Sequence, residues 1–479
     1  MAKVIVVGGG PGGIFASYLL SKEGLDVTLV EMGEDVAERM EHIKSGNSTA
    51  GPNYIQGMGG SGTFSDGKIN LNPEIGGNML EFVSKSDAEN LIKYVDNLFV
   101  KHGMDKNAEI HPKAHELMRK AMRAGIKYIP IKQKHIGSDF LPKIVNGIKK
   151  ELEEFGVKTL IKTKAIDILI SSENSCKNSD ENSCEKTNET RKIIGIIIEK
   201  HGKQEKLDGD YVVLAPGRAG SRWLLDIAGK YKLSYHYGPL DIGVRVEVPN
   251  EVMEEITEIN WDPKFHIHTK KYDDFVRTFC TNPGGFVITE DYGKFVSVNG
   301  HSMKNKFSNN TNFAFLVRMH LTEPVENTTL YGESVCKLAT TIGGGKAILQ
   351  RLGDLRKGRR STWERINKSY IEPTNKDVTP GDLSMALPAR ILEDLVEGLE
   401  MLAKVIPGIN EETTLLYGPE VKFKSVRLAV SKKMETKEIA NLFTVGDGAG
   451  VSGGIVTAGV TGLIAAREIL VREGKKCEI

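Results

Sequence analysis

Gly8-Gly9-Gly10-Pro11-Gly12-Gly13 satisfies G-x-G-x-x-G, between a β-rich run, Lys3–Val7, and a helical segment, Ile14–Lys22. In that setting Gly8, Gly10, Gly12 and Gly13 allow a tight turn, backbone approach to a pyrophosphate and close helix–strand packing. The helix start behind them attracts phosphate charge. Glu31 closes the next run, Val27–Glu31, 18 residues beyond Gly13. A carboxylate at that point accepts from both hydroxyls of a ribose and disfavours a 2′-phosphate. An ordinary glycine turn would lack this strand–turn–helix–strand context. Arg39 is expected to reach the phosphates; the alternative is a solvated helical arginine.

Two later segments narrow the choice of dinucleotide. Tyr211-Val212-Val213-Leu214-Ala215-Pro216-Gly217 is an apolar strand ending in A-x-G, so Ala215 and Gly217 join the candidates. Leu442–Gly450 is a strand ending in Gly446-Asp447, followed by a glycine-rich helix start. The order G-x-G-x-x-G, distal A-x-G, late G-D resembles the glutathione-reductase-type flavoproteins, which implies FAD as cofactor and a late aspartate, Asp447, at its ribityl or pyrophosphate region. A second G-x-G-x-x-G unit is absent, against a reductase that also binds NAD(P)H. Gly59-Gly60-Ser61-Gly62-Thr63-Phe64-Ser65-Asp66-Gly67-Lys68, Asp241–Glu247, Phe279-Cys280 with Pro283–Val287, and Gly446–Gly454 resemble a family of soluble FAD-dependent dehydrogenases. That likeness runs from the first strand to the last helix. The family's cysteine loop reads C-x-C-P-G-G, whereas this chain has Asn282 at the second cysteine, which removes any paired dithiol.

Physical roles follow for the remaining candidates. The last helix begins at Gly453-Gly454-Ile455, and its unpaired amides carry positive potential. Such donors stabilise the negative charge of a reduced flavin. The loop with Gly60, Ser61, Thr63, Ser65, Asp66 and Lys68 is rich in small donors and is expected across the pyrophosphate and ring. Lys68 either places a cation near the flavin or substrate or is an exposed loop lysine. Cys280, before Pro283-Gly284-Gly285, is either a buried small hydrophobe or a thiol beside the flavin. His301 is a candidate acid–base group under the same two readings. The run 353–368 holds six cations and reads as a solvated face, an anionic-substrate site, or a contact for an acidic electron-transfer partner. No Cys/His spacing suits zinc or an iron–sulfur cluster, so no metal is expected.

The elements that position these residues form an α/β fold: a Rossmann-type FAD-binding domain with a β-meander, plus an inserted α+β substrate or cap domain. The chain has 479 residues, too many for one core. The FAD-binding domain is expected in three parts, 1–74, 141–224 and 422–479, with a helical insertion at 75–140 and the cap at 225–421. The meander runs Ala165–Ile170, Lys192–Lys200 and Gln204–Leu207, interrupted by Ser171–Arg191, a polar hairpin tip holding Cys176 and Cys184. Segment 34–72 reads as mostly irregular. With 64 Lys and Arg against 63 acidic residues, nothing global favours nucleic acid or an anionic membrane. The opening reads as a first strand and not a signal peptide. Ala449–Ala466 lacks charge over 18 residues but holds five glycines, and reads as a buried loop and helix rather than a membrane span. Five irregularly spaced cysteines fit a reducing cytoplasm.

The expected activity is an FAD-dependent dehydrogenase or reductase acting on a small organic molecule. Flavin monooxygenases of the aromatic-hydroxylase type continue G-D-A-A-H, whereas Asp447 is followed by Gly448-Ala449-Gly450. Isoprenoid-saturating reductases share the layout. A non-catalytic dinucleotide-fold protein need not keep the fingerprint, Glu31 and Asp447 together.

Overall fold

A computed structural model describes the chain except residues 45–55, 65–66, 108, 137–139, 174–189, 304–305, 323–325, 424–425 and 478. Two units emerge, the first from Met1–Glu109, Lys132–His236 and Ser425–Ile479, the second from Ile110–Ile131 and Tyr237–Lys424.

In the first unit, Lys3–Val7 and Tyr211–Leu214 are almost wholly apolar and buried, the pattern of strands covered on both faces. They lie side by side in a five-stranded parallel sheet, in the order Leu442–Thr444, Tyr211–Leu214, Lys3–Val7, Asp26–Val30, Lys158–Leu160. Pro11 opens the first helix, Pro11–Lys22, at a position where no backbone N–H is needed. That helix is buried from Gly12 to Ser21, because the closing helix Ile455–Arg472 packs along it. The point of closest approach is set by glycine: a β-carbon at Gly462 would stand 2.0 Å from the Gly12 carbonyl oxygen.

The meander is present as Lys164–Glu173, Thr190–Lys200 and Lys203–Asp208. The expected polar tip, with Cys176 and Cys184, lies outside the described residues. Segment 34–72 is less irregular than expected: Val36–Lys44 is a helix and Ser61–Phe64 a short 3-10 turn. The uncharged stretch Ala449–Ala466 runs from the end of a turn at Asp447–Ala449 into the buried closing helix. Among the described residues no helix is long and apolar enough to cross a membrane, and no cluster of His, Cys, Asp or Glu could hold a metal ion.

The second unit is built on an eight-stranded, mainly antiparallel sheet. Its order is Thr379–Pro380, Ile348–Arg351, Leu415–Lys422, Leu240–Pro249, Asn310–Met319, Phe275–Asn282, Lys264–His268, Ile126–Ile129. Alternation along Leu240–Pro249 sends Ile242, Val244, Val246 and Val248 into an apolar core with Phe315, Val317 and the helix Ala389–Leu402. Asp241, Arg245 and Glu247 occupy the other face and are buried too. Segment 75–140, expected as one helical insertion, is divided between the units. Helix Lys85–Lys101 stays with the first, while helix Ala114–Arg123 and strand Ile126–Ile129 join the second, where Lys127 pairs with His266.

Candidate functional site

Five segments of the first unit meet at the carboxyl ends of its parallel strands, where an open α/β sheet binds ligands. Gly8 has φ +109°, and a side chain there would strike the Ala215 carbonyl at 2.0 Å. Gly60 lies against Gly10, Gly62 against Ile455, and Gly448 against the Gly217 carbonyl. These contacts gather Gly8–Gly13, Gly60–Thr63, Ala215–Gly217, Gly446–Asp447 and Gly453–Ile455 into one place. The sequence places them up to 447 positions apart.

Glu31 is buried, and its carboxylate is already occupied in part. Oε2 accepts from the Gly9 amide at 2.7 Å; Oε1 accepts from Gly33 at 2.8 Å and Gly57 at 3.1 Å. A carboxylate offers about four acceptor positions, so Oε2 keeps one for a ribose hydroxyl rather than the full pair expected.

Arg39 differs from both of its expected readings. It is fully buried, donating from Nη1 to the Met58 carbonyl at 2.6 Å and from Nη2 to the Gly60 carbonyl at 3.1 Å. Its guanidinium lies 4.7 Å from the Phe64 ring centre. Arg39 therefore braces the 57–64 loop from beneath. Thr63 also turns inward: its buried hydroxyl has no partner among the described residues and lines a cavity of about 20 Å³ with Pro11, Phe15 and Ile455. That space admits about one water and no ring system. Ser65 and Asp66 lie outside the described residues, as does the Lys68 side chain; the Lys68 backbone pairs with His135.

Asp447 accepts from the Ser452 hydroxyl at 2.6 Å and the Gly454 amide at 3.2 Å through Oδ1, and faces Arg218 at 3.4 Å through Oδ2. It holds the entry to the closing helix. A strap not foreseen from sequence crosses that entry. The Gly76 carbonyl accepts from the Gly453 amide and the Thr457 hydroxyl, both at 2.6 Å. The adjacent pair Gly76-Gly77 was the available signal.

FAD can be tested against these groups. The helices Pro11–Lys22 and Ile455–Arg472 both follow a glycine at the N-cap, Gly10 and Gly454, which has no side chain to cap the amides that come after it. Gly217 and Gly446, at φ +61° and +81°, have no atom within 4 Å where a side chain would project. Uncapped amides suit a diphosphate, and Glu31 Oε2 suits a ribose. The residues fit the group.

Cys280 and His301 belong to the second unit. Cys280 is a left-handed, non-glycine residue at φ +48°, at an irregularity in the pairing of Phe275–Asn282 with Asn310–Met319. Its carbonyl accepts from Arg245 Nη1 at 3.1 Å and Asn282 Nδ2 at 2.9 Å. Asn282, which replaces a second cysteine, thus fixes the bulge through its amide. Cys280 is half-buried. His301 is exposed at the end of a hairpin strand paired to Phe286. Most of the 353–368 cations have local partners: Arg356 with Glu400, Lys357 with Glu412, Arg359 with Asp354 and Lys368 with Glu364.

Comparison with known proteins agrees with this arrangement. Residues 6–65 match the NAD(P)-binding Rossmann-like domain family. Residues 239–423 match the family described as FAD-dependent protein, C-terminal domain-like, and residues 374–476 match glucose inhibited division protein A. The chain is an FAD-dependent oxidoreductase. An uncharacterized protein of Clostridium beijerinckii is 29% identical over 496 residues, covering 98% of this chain and 81% of that protein. Glycine oxidase from Geobacillus kaustophilus aligns over 100% of this chain and 97% of its own, at 13% identity and a TM-score of 0.38.

Proposed function

We propose that this oxidoreductase is a glutathione-reductase-type dehydrogenase or reductase of a small organic substrate, acting in a reducing cytoplasm. The observation carrying the cofactor assignment is the meeting of two uncapped helix starts with the two acidic residues, Glu31 and Asp447. The amides of Gly12 and Gly13 would hold the diphosphate, and Glu31 Oε2 the adenosine ribose. Asp447 would orient the ribityl end while its contacts to Ser452 and Gly454 keep the closing helix in place. When bound, FAD supplies two-electron chemistry through hydride exchange at N5. The start of Ile455–Arg472 opposes the negative charge that reduction brings, with donors that need no rearrangement. Heat-released cofactor is expected to chromatograph as FAD. Recovery of FMN alone, or of no flavin after reconstitution, would overturn the assignment.

For the chemical step, Cys280 is assigned as the reacting or proton-holding thiol, with Lys68 and His301 as charge and acid–base groups. The strained bulge at Cys280 supports this, since such backbone concentrates at functional positions. Cys280→Ser should retain full flavin yet lose most anaerobic, substrate-dependent bleaching, at a stability cost of about 1–2 kcal/mol. Undiminished turnover would return Cys280 to a structural role. An acidic electron-transfer partner at 353–368 is the weaker reading, because four of those cations already have counter-charges.

A further inference from the structure

The polar face of the second unit's sheet repeats one arrangement, two cations around one carboxylate. Arg277 Nη2 donates to Asp241 Oδ2 at 2.6 Å, and Arg318 Nε donates to Oδ1 of the same carboxylate at 3.0 Å. Beside them, Glu420 takes Arg245 and Lys422 together. Each arginine of the first set is also stacked. The Arg277 guanidinium lies 4.6 Å from the Phe279 ring centre, and that of Arg318 lies 4.7 Å from Phe275.

Stacking and a shared carboxylate fix both planes before any ligand arrives, which reduces the ordering cost of binding. Asp241 accepts from Nη2 of Arg277 and from Nε of Arg318. Arg277 Nε is buried with no hydrogen-bond partner among the described residues. Asp241 is itself buried, whereas Arg277 and Arg318 keep 18% and 29% of their side-chain surface open. The carboxylate is therefore the support and the guanidiniums are the accessible part.

A neighbouring group reports the resulting field. His266 pairs directly with Arg277 across adjacent strands. Burial, then the charges of Arg277, Lys127, Arg318 and Lys264, push its imidazole down to about 4.

We propose that Arg277 and Arg318 form the recognition site for a carboxylate, making the substrate an organic acid. Planar, paired guanidiniums match a carboxylate bidentately, and the phenyl rings beneath them would exclude water from the contact. The substrate role rests on the oxidoreductase reading above; the anion site stands on the second unit alone.

The test is calorimetric titration of the full-length, flavin-loaded protein at constant ionic strength. The probes are acetate, benzoate, succinate, their neutral amides, and inorganic phosphate. At least one carboxylate should bind saturably while its amide does not. Arg318→Gln and Arg277→Gln should weaken that binding tenfold or more, whereas Lys376→Gln, an exposed lysine paired with Glu372, should leave it unchanged. Arg318→Lys keeps a charge beside Asp241 and guards against misfolding; it should fold with the wild-type melting temperature and still lose several-fold affinity. The proposal is overturned by absence of saturable carboxylate binding, by equal affinity in the arginine variants, or by preference for phosphate over every carboxylate. Protein that takes up no FAD on reconstitution yet still binds carboxylate through these arginines would sink the cofactor assignment and uphold this one.

Discussion

Glu31→Ala should purify nearly free of FAD, with retention reduced by roughly thirty- to several-hundred-fold. Two losses combine. The ribose loses a charge-assisted acceptor, and the amides of Gly9, Gly33 and Gly57 lose the carboxylate that gathers them. Together these amount to about 2–4 kcal/mol for the cofactor, with a further effect on folding from buried, unpaired donors. Glu31→Gln separates the two effects. Its carbonyl oxygen can still accept from Gly33 and Gly57, but its amide nitrogen meets the Gly9 amide donor to donor, so its melting temperature should fall less than that of the alanine variant while its flavin-to-protein absorbance ratio falls about tenfold. Asp447→Ala should also lose flavin, because the Gly454 amide and Ser452 hydroxyl lose their acceptor. Full flavin occupancy in both alanine variants would show that the carboxylates are misassigned.

Gly462→Ala should be as damaging from a position that is not itself a candidate for holding the cofactor. The added β-carbon would lie 2.0 Å from the Gly12 carbonyl oxygen and 3.2 Å from the Ala16 amide. Backbone cannot yield as a side-chain tip can, so the closing helix must move by roughly 1 Å. Both helix starts belong to the proposed cofactor cradle, and separating them detunes both at once. A loss of about 3 kcal/mol or more in stability is expected, with most of the flavin. Denaturant unfolding and flavin content measure this directly. Wild-type values for both would mean that the helices are not held at this crossing.

The cofactor cradle was legible where chemistry dictates residue type. Gly8–Gly13, Glu31 and Gly446-Asp447 each need a particular residue beside a strand end, so spacing alone exposes them. Arg39 was not legible, because its helix pattern says nothing about the 57–64 loop folding over it. Gly462 carried a signal, a second glycine three positions after Gly459, but its partner Gly12 is known only once two distant helices are adjacent. The Arg277–Asp241–Arg318 set was hidden for the same reason. Its members stand 36 and 77 positions apart. Alternation along Asp241–Glu247 did show that one strand face is polar. It could not show which cations face it. Strand Ile126–Ile129 likewise reaches its sheet through pairing with Lys264–His268, far along the chain.

The three-part build of the first unit also sets a timetable for biosynthesis. Strand Tyr211–Leu214 leaves the ribosome long before its neighbour Leu442–Thr444. At about 5–20 residues per second, that interval is on the order of 10–50 seconds. Throughout it, one edge of the parallel sheet lacks its partner strand, and the first helix lacks the helix that covers it. An unpaired apolar edge of this kind templates wrong pairings. The nascent chain therefore passes through a vulnerable interval that ends only when its final tenth is made, and that final tenth also completes the cofactor cradle.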